Sequence, residues 1–302
     1  KHGALRRSIP IEHERTSVDH LDLKVPAVAA DGSLIPQAKV SAVIRHMSPT
    51  EMYEVCAAYG YAARVTEAHS VMVFDNYSLV PKPVKDLKPG DLVVAAMGLP
   101  RGDELTELDV VELLLSSPVG ERLRTNVRRY GNRLRVSEAL ARGYADFAVY
   151  MEHGEIGLPR RIPVSRPLAK LLGYYASEGS SADGGVTLSF GSHEEDVIQD
   201  AVRSIQDTFP EVHVVRSQPH SYEVQLRFGG RLVAELFQAI GAGKNARTKA
   251  VPWPVFSMSR EDQLAYLAAY IRGDGYARRR VAGAFIQMTT VSRALASDVL
   301  AL

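Results

Sequence analysis

The chain has 302 residues, 46% of them hydrophobic and 24% charged, with a formal net charge of +1. That length suits about two folded domains, and so balanced a total leaves any nucleic-acid surface to local clustering of cations. One cysteine, Cys56, excludes a disulfide framework and a cysteine-based zinc site; no apolar run near ~20 residues and no signal peptide are found, so a cytoplasmic protein with no membrane contact is expected.

Residues 1–100 read as β-rich. Strand-like runs lie at 40–44, 52–55, 64–66, 71–74 and 91–94, separated by turn signals at Asp31 and Gly32, Asp75 and Asn76, and Pro89 and Gly90. The runs are too short and too closely spaced for βαβ units, so an antiparallel all-β module is expected. Residues 101–166 change character. A helix is expected over 105–115. A basic stretch follows with Arg122, Arg124, Arg128, Arg129, Arg133, Arg135 and Arg142, among which Glu138 is the only acid. Gly154, Gly157, Pro159 and Pro163 then mark a linker.

Residues 167–302 alternate helices with strand pairs. The pattern predicts a helix over 168–177, a strand at 186–190 and a helix to about 207 opened by a capping box at Ser192 and Glu195. Strands at 212–215 and 222–228 come next, the latter with Tyr222, Val224, Leu226 and Phe228 on one face. A helix over 232–240 ends at Gly241. The pattern then restarts with a helix at 264–272, a strand at 284–288 and a helix from Ser292. Helix–strand–helix recurs with an offset of 96 residues, from 178 to 274, which points to an internal duplication whose second copy is incomplete.

Each copy of the apolar helix ends in an acid and a glycine: Gly173, Ala176, Ser177, Glu178, Gly179 in the first, Ala268, Ala269, Gly273, Asp274, Gly275 in the second. Small residues let two helices pack with close backbones, which would bring Glu178 and Asp274 together near a pseudo-twofold axis. A glycine after each acid suits a left-handed cap. Two neighbouring carboxylates at helix C-termini repel each other and the helix dipoles, so they call for cations. Oxygen donors suit Mg2+, and metals so held support phosphodiester hydrolysis. A surface acid before a helix-capping glycine explains one such motif, but hardly two at matching repeat positions.

These two motifs resemble those of the LAGLIDADG homing endonucleases over about residues 167–302. The resemblance implies Glu178 and Asp274 as catalytic metal ligands for Mg2+. It also places Lys249, shortly before Pro252, as the group that polarises the attacking water or steadies phosphate charge; Lys244 is a less well-placed competitor, and a solvated loop lysine is the plain alternative. Ahead of the motifs, Thr66 and His69 followed by Leu87, Lys88, Pro89, Gly90 and Asp91 resemble the Hint module of inteins. By that resemblance His69 protonates the departing nitrogen of the upstream splice junction, and Thr66 supports it by hydrogen bonding.

The implied fold is multi-domain. An all-β Hint-like module (1–100) is followed by a basic linker or possible DNA-recognition region (101–166). An α+β LAGLIDADG domain (167–302) completes it, with duplicated α-β-β-α-β-β-α halves, the second incomplete. The chain is expected to lack both splicing termini, since Lys1 replaces the Cys or Ser nucleophile, and so not to splice as it stands. Expected partners are double-stranded DNA and the host extein protein; a monomer with internal pseudo-twofold symmetry follows. Arg122, Arg124, Arg128, Arg129, Arg133 and Arg135 are candidates for phosphate contacts. Arg216, Gln218, Gln225 and Arg227 are candidates for base contacts from strands in the major groove. Two alternatives remain: a LAGLIDADG-derived DNA-binding protein without nuclease activity, and a Hint protein that only cleaves itself.

Overall fold

The computed structural model describes residues 13–18, 23–29, 33–46, 52–58, 61–67, 69–95, 103–280 and 283–302. Two units separate, one up to Arg101 and one from Gly102 onward. Among its described residues the first carries nine strands: β1 (His13–Ser17), β2 (Lys24–Val28), β3 (Leu34–Lys39), β4 (Ala42–His46), β5 (Met52–Cys56), β6 (Ala62–Thr66), β7 (Ser70–Asp75), β8 (Ser78–Pro83) and β9 (Leu92–Val93). All pairings are antiparallel: β1 with β4, β2 with β3, β5 with β6, and β7 between β8 and β9. The run expected over 40–44 starts later: Val40 and Ser41 lie between β3 and β4, and 42–44 belong to β4. The Asp31 and Gly32 turn lies outside the described residues.

Local chemistry explains how β7, β8 and β9 come together. Asn76 and Tyr77 take φ of 46° and 61°, the positive values that a two-residue hairpin turn requires. At the second turn the Asp91 carboxylate accepts from the Lys88 amide at 2.7 Å and from Lys82 Nζ at 2.8 Å. Gly90 there sits at φ +99°. These bonds aim β9 back along β7, where the Val94 amide donates to the Met72 carbonyl at 2.9 Å. Among the described residues of this unit the buried hydrophobics are Val18, Val73 and Val84.

The second unit begins with β10 (Glu107–Asp109) and α1 (Val110–Leu114). Asp109 caps α1 by accepting from the Val111 and Glu112 amides. Then come β11 (Leu123–Arg129), β12 (Asn132–Arg135), α2 (Val136–Ala141), β13 (Ala148–Met151), β14 (Gly157–Pro159) and β15 (Arg161–Pro163). Four of these strands form an antiparallel sheet in the order β12-β11-β13-β14, and β10 pairs with β15. The expected linker is therefore built into sheets, and the basic stretch is mainly a hairpin. Leu108, Val111, Leu114, Leu123, Val149, Leu158 and Ile162 share one buried core with the elements that follow.

Those elements are α3 (Arg166–Glu178), β16 (Gly179–Ala182), β17 (Gly185–Gly191), α4 (Glu195–Thr208), β18 (Val214–His220), β19 (Glu223–Phe228) and α5 (Gly230–Ala239). A short α6 (Trp253–Phe256) precedes α7 (Arg260–Asp274), β20 (Gly275–Arg280), β21 (Gly283–Met288) and α8 (Arg293–Ala301). The first run pairs its strands antiparallel in the order β16-β17-β19-β18; β20 pairs with β21. Val186, Leu188 and Phe190 of β17 and Val224, Leu226 and Phe228 of β19 are buried, so one sheet face is core and the other polar, as strand alternation dictates. Tyr222, expected on that apolar face, is 69% exposed in the turn before β19.

Helix ends hold two surprises. Ser192 forms no capping box: α4 starts after Glu194, whose carboxylate accepts from the Gly191 amide at 2.7 Å. Ser292, by contrast, does cap α8 through the Leu295 amide. The glycines closing α3 and α7 are not left-handed; Gly179 has φ −88° and Gly275 φ −93°, both extended. They are needed for space. A Cβ on Gly179 would lie 2.3 Å from the Tyr175 ring, and one on Gly275 2.3 Å from the Ile271 carbonyl oxygen. The chain thus passes from each acid straight into a strand.

Candidate active site

Helices α3 and α7 pack along their length. A Cβ on Gly173 would meet the Tyr266 carbonyl oxygen at 2.3 Å and Ala269 Cβ at 2.8 Å. One turn further, a Cβ on Gly273 would meet Ser177 Oγ at 2.2 Å and Glu178 Oε1 at 2.8 Å. Contacts advance together along both helices, so they run parallel, and both acids arrive at the same end. Small residues at 173, 177, 269 and 273 are what allow this closeness.

Charge at that end is strongly perturbed. Burial, then the negative charges of Asp274 and Glu194, push the Glu178 carboxyl from its ordinary 4.5 to about 7; Lys249 opposes the rise. Asp274 is more open to solvent, yet loss of water around its carboxyl raises it too, with Lys249 again opposing. A partly dry place, with a neighbouring carboxylate adding to the rise at Glu178, has this signature.

Lys249 is buried, at 4% exposure, which excludes the solvated-loop alternative. Its Nζ donates to the Ser177 carbonyl at 2.6 Å and lies 6.0 Å from the centre of the Tyr175 ring. That carbonyl is one of the unpaired acceptors at the end of α3, so the ammonium caps the helix while its charge reaches both acids. Desolvation lowers its pKa, against the pull of Asp274 and Glu178. Its own carbonyl accepts from Ser292 Oγ at 2.5 Å, and the Val251 amide donates to Asp298 at 3.1 Å. The loop is thereby stitched to α8. Lys244, the competitor, is exposed and lines a shallow pocket with Ser181, Arg231 and Gln238.

Arg216, Gln218, Gln225 and Arg227 do not share a surface. Arg216 lies opposite the buried Leu226, on the helix-facing side, where Glu195 of α4 holds it in two bonds of 2.9 and 2.7 Å. Gln225 and Arg227 point the other way, opposite Ser189 and Thr187 of β17 and Ser217 and Val215 of β18. Gln218 bonds the Ser221 carbonyl at the hairpin end.

Most arginines of the basic stretch have partners within the chain while Arg128, Arg129, Arg135 and Arg142 stay exposed. Arg124 pairs with Glu152, Arg129 and Arg142 with Glu138, and Arg135 with Glu121. Arg133 donates to the Gly154 carbonyl at 2.7 Å and stacks 3.8 Å from the Tyr150 ring centre; Arg128 holds the Gly131 carbonyl at 3.0 Å. Arg122 stands exposed before β11. Sequence spacing could not reveal that Glu121 and Glu152 reach across the sheet.

In the first unit, Thr66 ends β6 and His69 lies three residues on; the His69 amide donates to the Thr66 carbonyl at 3.0 Å, closing a turn. The His69 side chain is exposed, and its carbonyl accepts from the Val84 amide at 2.8 Å.

Sequence reasoning missed Glu194, whose charge reaches Glu178, and a polar cluster behind the acids made of Tyr174, Asp200 and Arg272. The only available sign was Arg272, a long cation two positions before Asp274 in an otherwise apolar motif.

No protein-family model matches the chain. It is 25% identical, over 92% of its own length, to the DNA polymerase II large subunit of Thermococcus kodakarensis, of which it spans 17%. It is 32% identical over 46% of its length to the ATP-dependent DNA helicase Hel308 of the same organism, spanning 12% of that protein. It is 40% identical over 23% of its length to transcription initiation factor IIB of Methanocaldococcus jannaschii, spanning 10% of it. The chain is thus similar to short segments of much longer proteins, among them enzymes named for DNA work. Among the described residues, no helix is long and apolar enough to cross a membrane.

Proposed function

We propose that the chain is the endonuclease-bearing part of an intein: a LAGLIDADG homing endonuclease that cuts both strands of a long DNA site, joined to a Hint splicing module in residues 1–100. The observation that carries the nuclease half is the meeting of Glu178 and Asp274 at the ends of two interlocked parallel helices. The similarity pattern supports the intein half. Likeness to a polymerase subunit, a helicase and a transcription factor of different kinds, confined to a small share of each, is what an inserted element would leave.

The donor set fits Mg2+: hard carboxylate oxygens whose charges are costly without a cation. Among the described residues no group of three His, Cys, Asp or Glu side chains is placed to hold a metal, so water and phosphate oxygens would complete the coordination of an ion held by Glu178 and Asp274. Bound there, it would supply an activated water and charge neutralisation at the leaving oxygen. The protein's own part is to hold both carboxylates against their repulsion, which the helix packing does, and to keep the Lys249 charge beside them. The polar face carrying Thr187, Ser189, Ser217, Gln225 and Arg227 is the surface that reads bases, and its two-stranded ribbons suit the major groove. In the first unit, His69 is the proton donor at the upstream splice junction and Thr66 its support.

A two-by-two assay in the full-length precursor tests both halves. His69→Ala should slow thiol-induced N-terminal cleavage and leave DNA cutting alone; Asp274→Asn should stop cutting and leave splicing alone. Normal splicing by His69→Ala would reduce residues 1–100 to a support domain. Binding without cutting by the wild type would favour a DNA-binding protein instead.

A further inference from the structure

We infer that Arg272 is a positioning residue for the acid pair: it ties the last turn of α7 to α4 and α3 and so sets where Asp274 stands against Glu178. This rests on the nuclease reading above. Arg272 lies two residues before Asp274. Its Nη2 donates to Asp196 Oδ2 at 2.6 Å; its Nη1 donates to Tyr174 Oη at 3.2 Å and Asp200 Oδ2 at 3.4 Å. One planar guanidinium thereby bridges three side chains on two other helices, a fork that a lysine cannot reproduce.

The far side of the fork is anchored. Asp200 is nine-tenths buried and also accepts from Lys170 Nζ at 2.8 Å and from the Tyr174 hydroxyl at 2.6 Å. Burial alone would raise its carboxyl, but those bonds and the charges of Lys170 and Arg272 hold it below its ordinary value. One partner of Arg272 is therefore a fixed, buried anion, whereas its shortest bond is to the exposed Asp196. Asp196 and Glu195 are consecutive in the first turn of α4; Glu195 holds Arg216 of β18, so this one turn joins the sheet to the acid-bearing helix.

Each acid then has its own clamp. Lys249 holds the end of α3 through the Ser177 carbonyl, and Arg272 holds the end of α7. The arrangement is one-sided, since the matching place in the first motif is Ala176. The positioning role rests on the bonds of Arg272 to the other two helices.

The test is Mn2+ binding to the metal-free full chain, read by electron paramagnetic resonance of the free ion, beside Mg2+-dependent cleavage of a randomised-site DNA library. Arg272→Met should weaken Mn2+ about tenfold, the lower end for loss of a group that orients a metal ligand. Arg272→Lys, which keeps the charge and the fold, should fall between it and wild type. Asp196→Asn should shift Mn2+ affinity the same way, and the double variant should be no weaker than Arg272→Met, because Asp196 acts through Arg272. Unchanged Mn2+ affinity in Arg272→Met and Arg272→Lys, or strictly additive losses, would overturn the inference. Wild-type Mn2+ binding that Asp274→Asn abolishes but Arg272→Met also weakens, without any DNA cleavage, would sink the nuclease reading and leave the positioning role standing.

Discussion

Glu178→Gln should make the metal-free protein more stable above neutrality and flatten its pH dependence. The Glu178 carboxyl moves from an ordinary 4.5 to about 7 on folding, a displacement equivalent to about 3 kcal/mol. Glu178 is partly solvated and feels Asp274, so that figure is an upper bound. The sign follows from which state holds the proton. Between pH 4.5 and 7 the folded protein keeps a proton that the unfolded chain has released. Stability is therefore full below pH 4.5, falls as pH rises, and has lost the whole contribution above about 7. The sole tryptophan, Trp253, lies in the second unit, so its fluorescence follows that unit alone during denaturation. In EDTA, wild type should weaken by up to about 3 kcal/mol from pH 5 to 8 relative to Glu178→Gln, with Asp274 leaving a smaller slope in the variant. Added Mg2+ should restore wild type at pH 8 and not the variant. Parallel pH profiles for the two proteins would refute the crowded-carboxylate reasoning.

Gly173→Ala should force α3 and α7 apart, because its Cβ would sit 2.3 Å from the Tyr266 carbonyl oxygen. A loss of about 1–3 kcal/mol is expected by thermal melting, together with a fall of the raised Glu178 value toward normal by carboxyl NMR. Tyr266 is fully buried and its hydroxyl has no partner among the described residues. Tyr266→Phe should therefore leave stability in thermal melting unchanged or raise it by up to about 1–3 kcal/mol; a clear loss would show a bound water there. Arg227→Gln should relax base preference at one place in the DNA site at a cost of about 1–3 kcal/mol. Arg216→Gln should leave preference alone and lower stability slightly, and selection of bound library DNA in Ca2+ separates the two.

The acid–glycine motifs were legible because they sit at the ends of apolar helices and repeat with a fixed offset. Their purpose was only half legible. Spacing suggested close packing, which Gly173 and Gly273 provide, but it misjudged Gly179 and Gly275, which avoid clashes with side chains and backbone a turn away rather than adopt positive φ. Three-residue strands such as β14 and β15 have no period to detect, so a Pro- and Gly-bearing segment passed for a linker. Arg216 was misplaced because strand parity fixes a face only once the register is known; opposite Leu226 it turns toward α4. The Glu121, Glu152 and Asp200 partners come from long-range packing, which sequence spacing does not show. Lys249 was found by motif, but its burial beneath α8 was not.

The most direct test of the nuclease is cleavage of a randomised-site DNA library by wild type, Glu178→Gln and Asp274→Asn, with Mg2+ and with EDTA, scoring both strands. Wild type should make double-strand cuts in Mg2+ alone, and each variant should bind the selected sites yet lose cutting by orders of magnitude. Normal cutting by either variant, or cutting by wild type in EDTA, would contradict the assignment of these two carboxylates as the metal-binding catalytic pair.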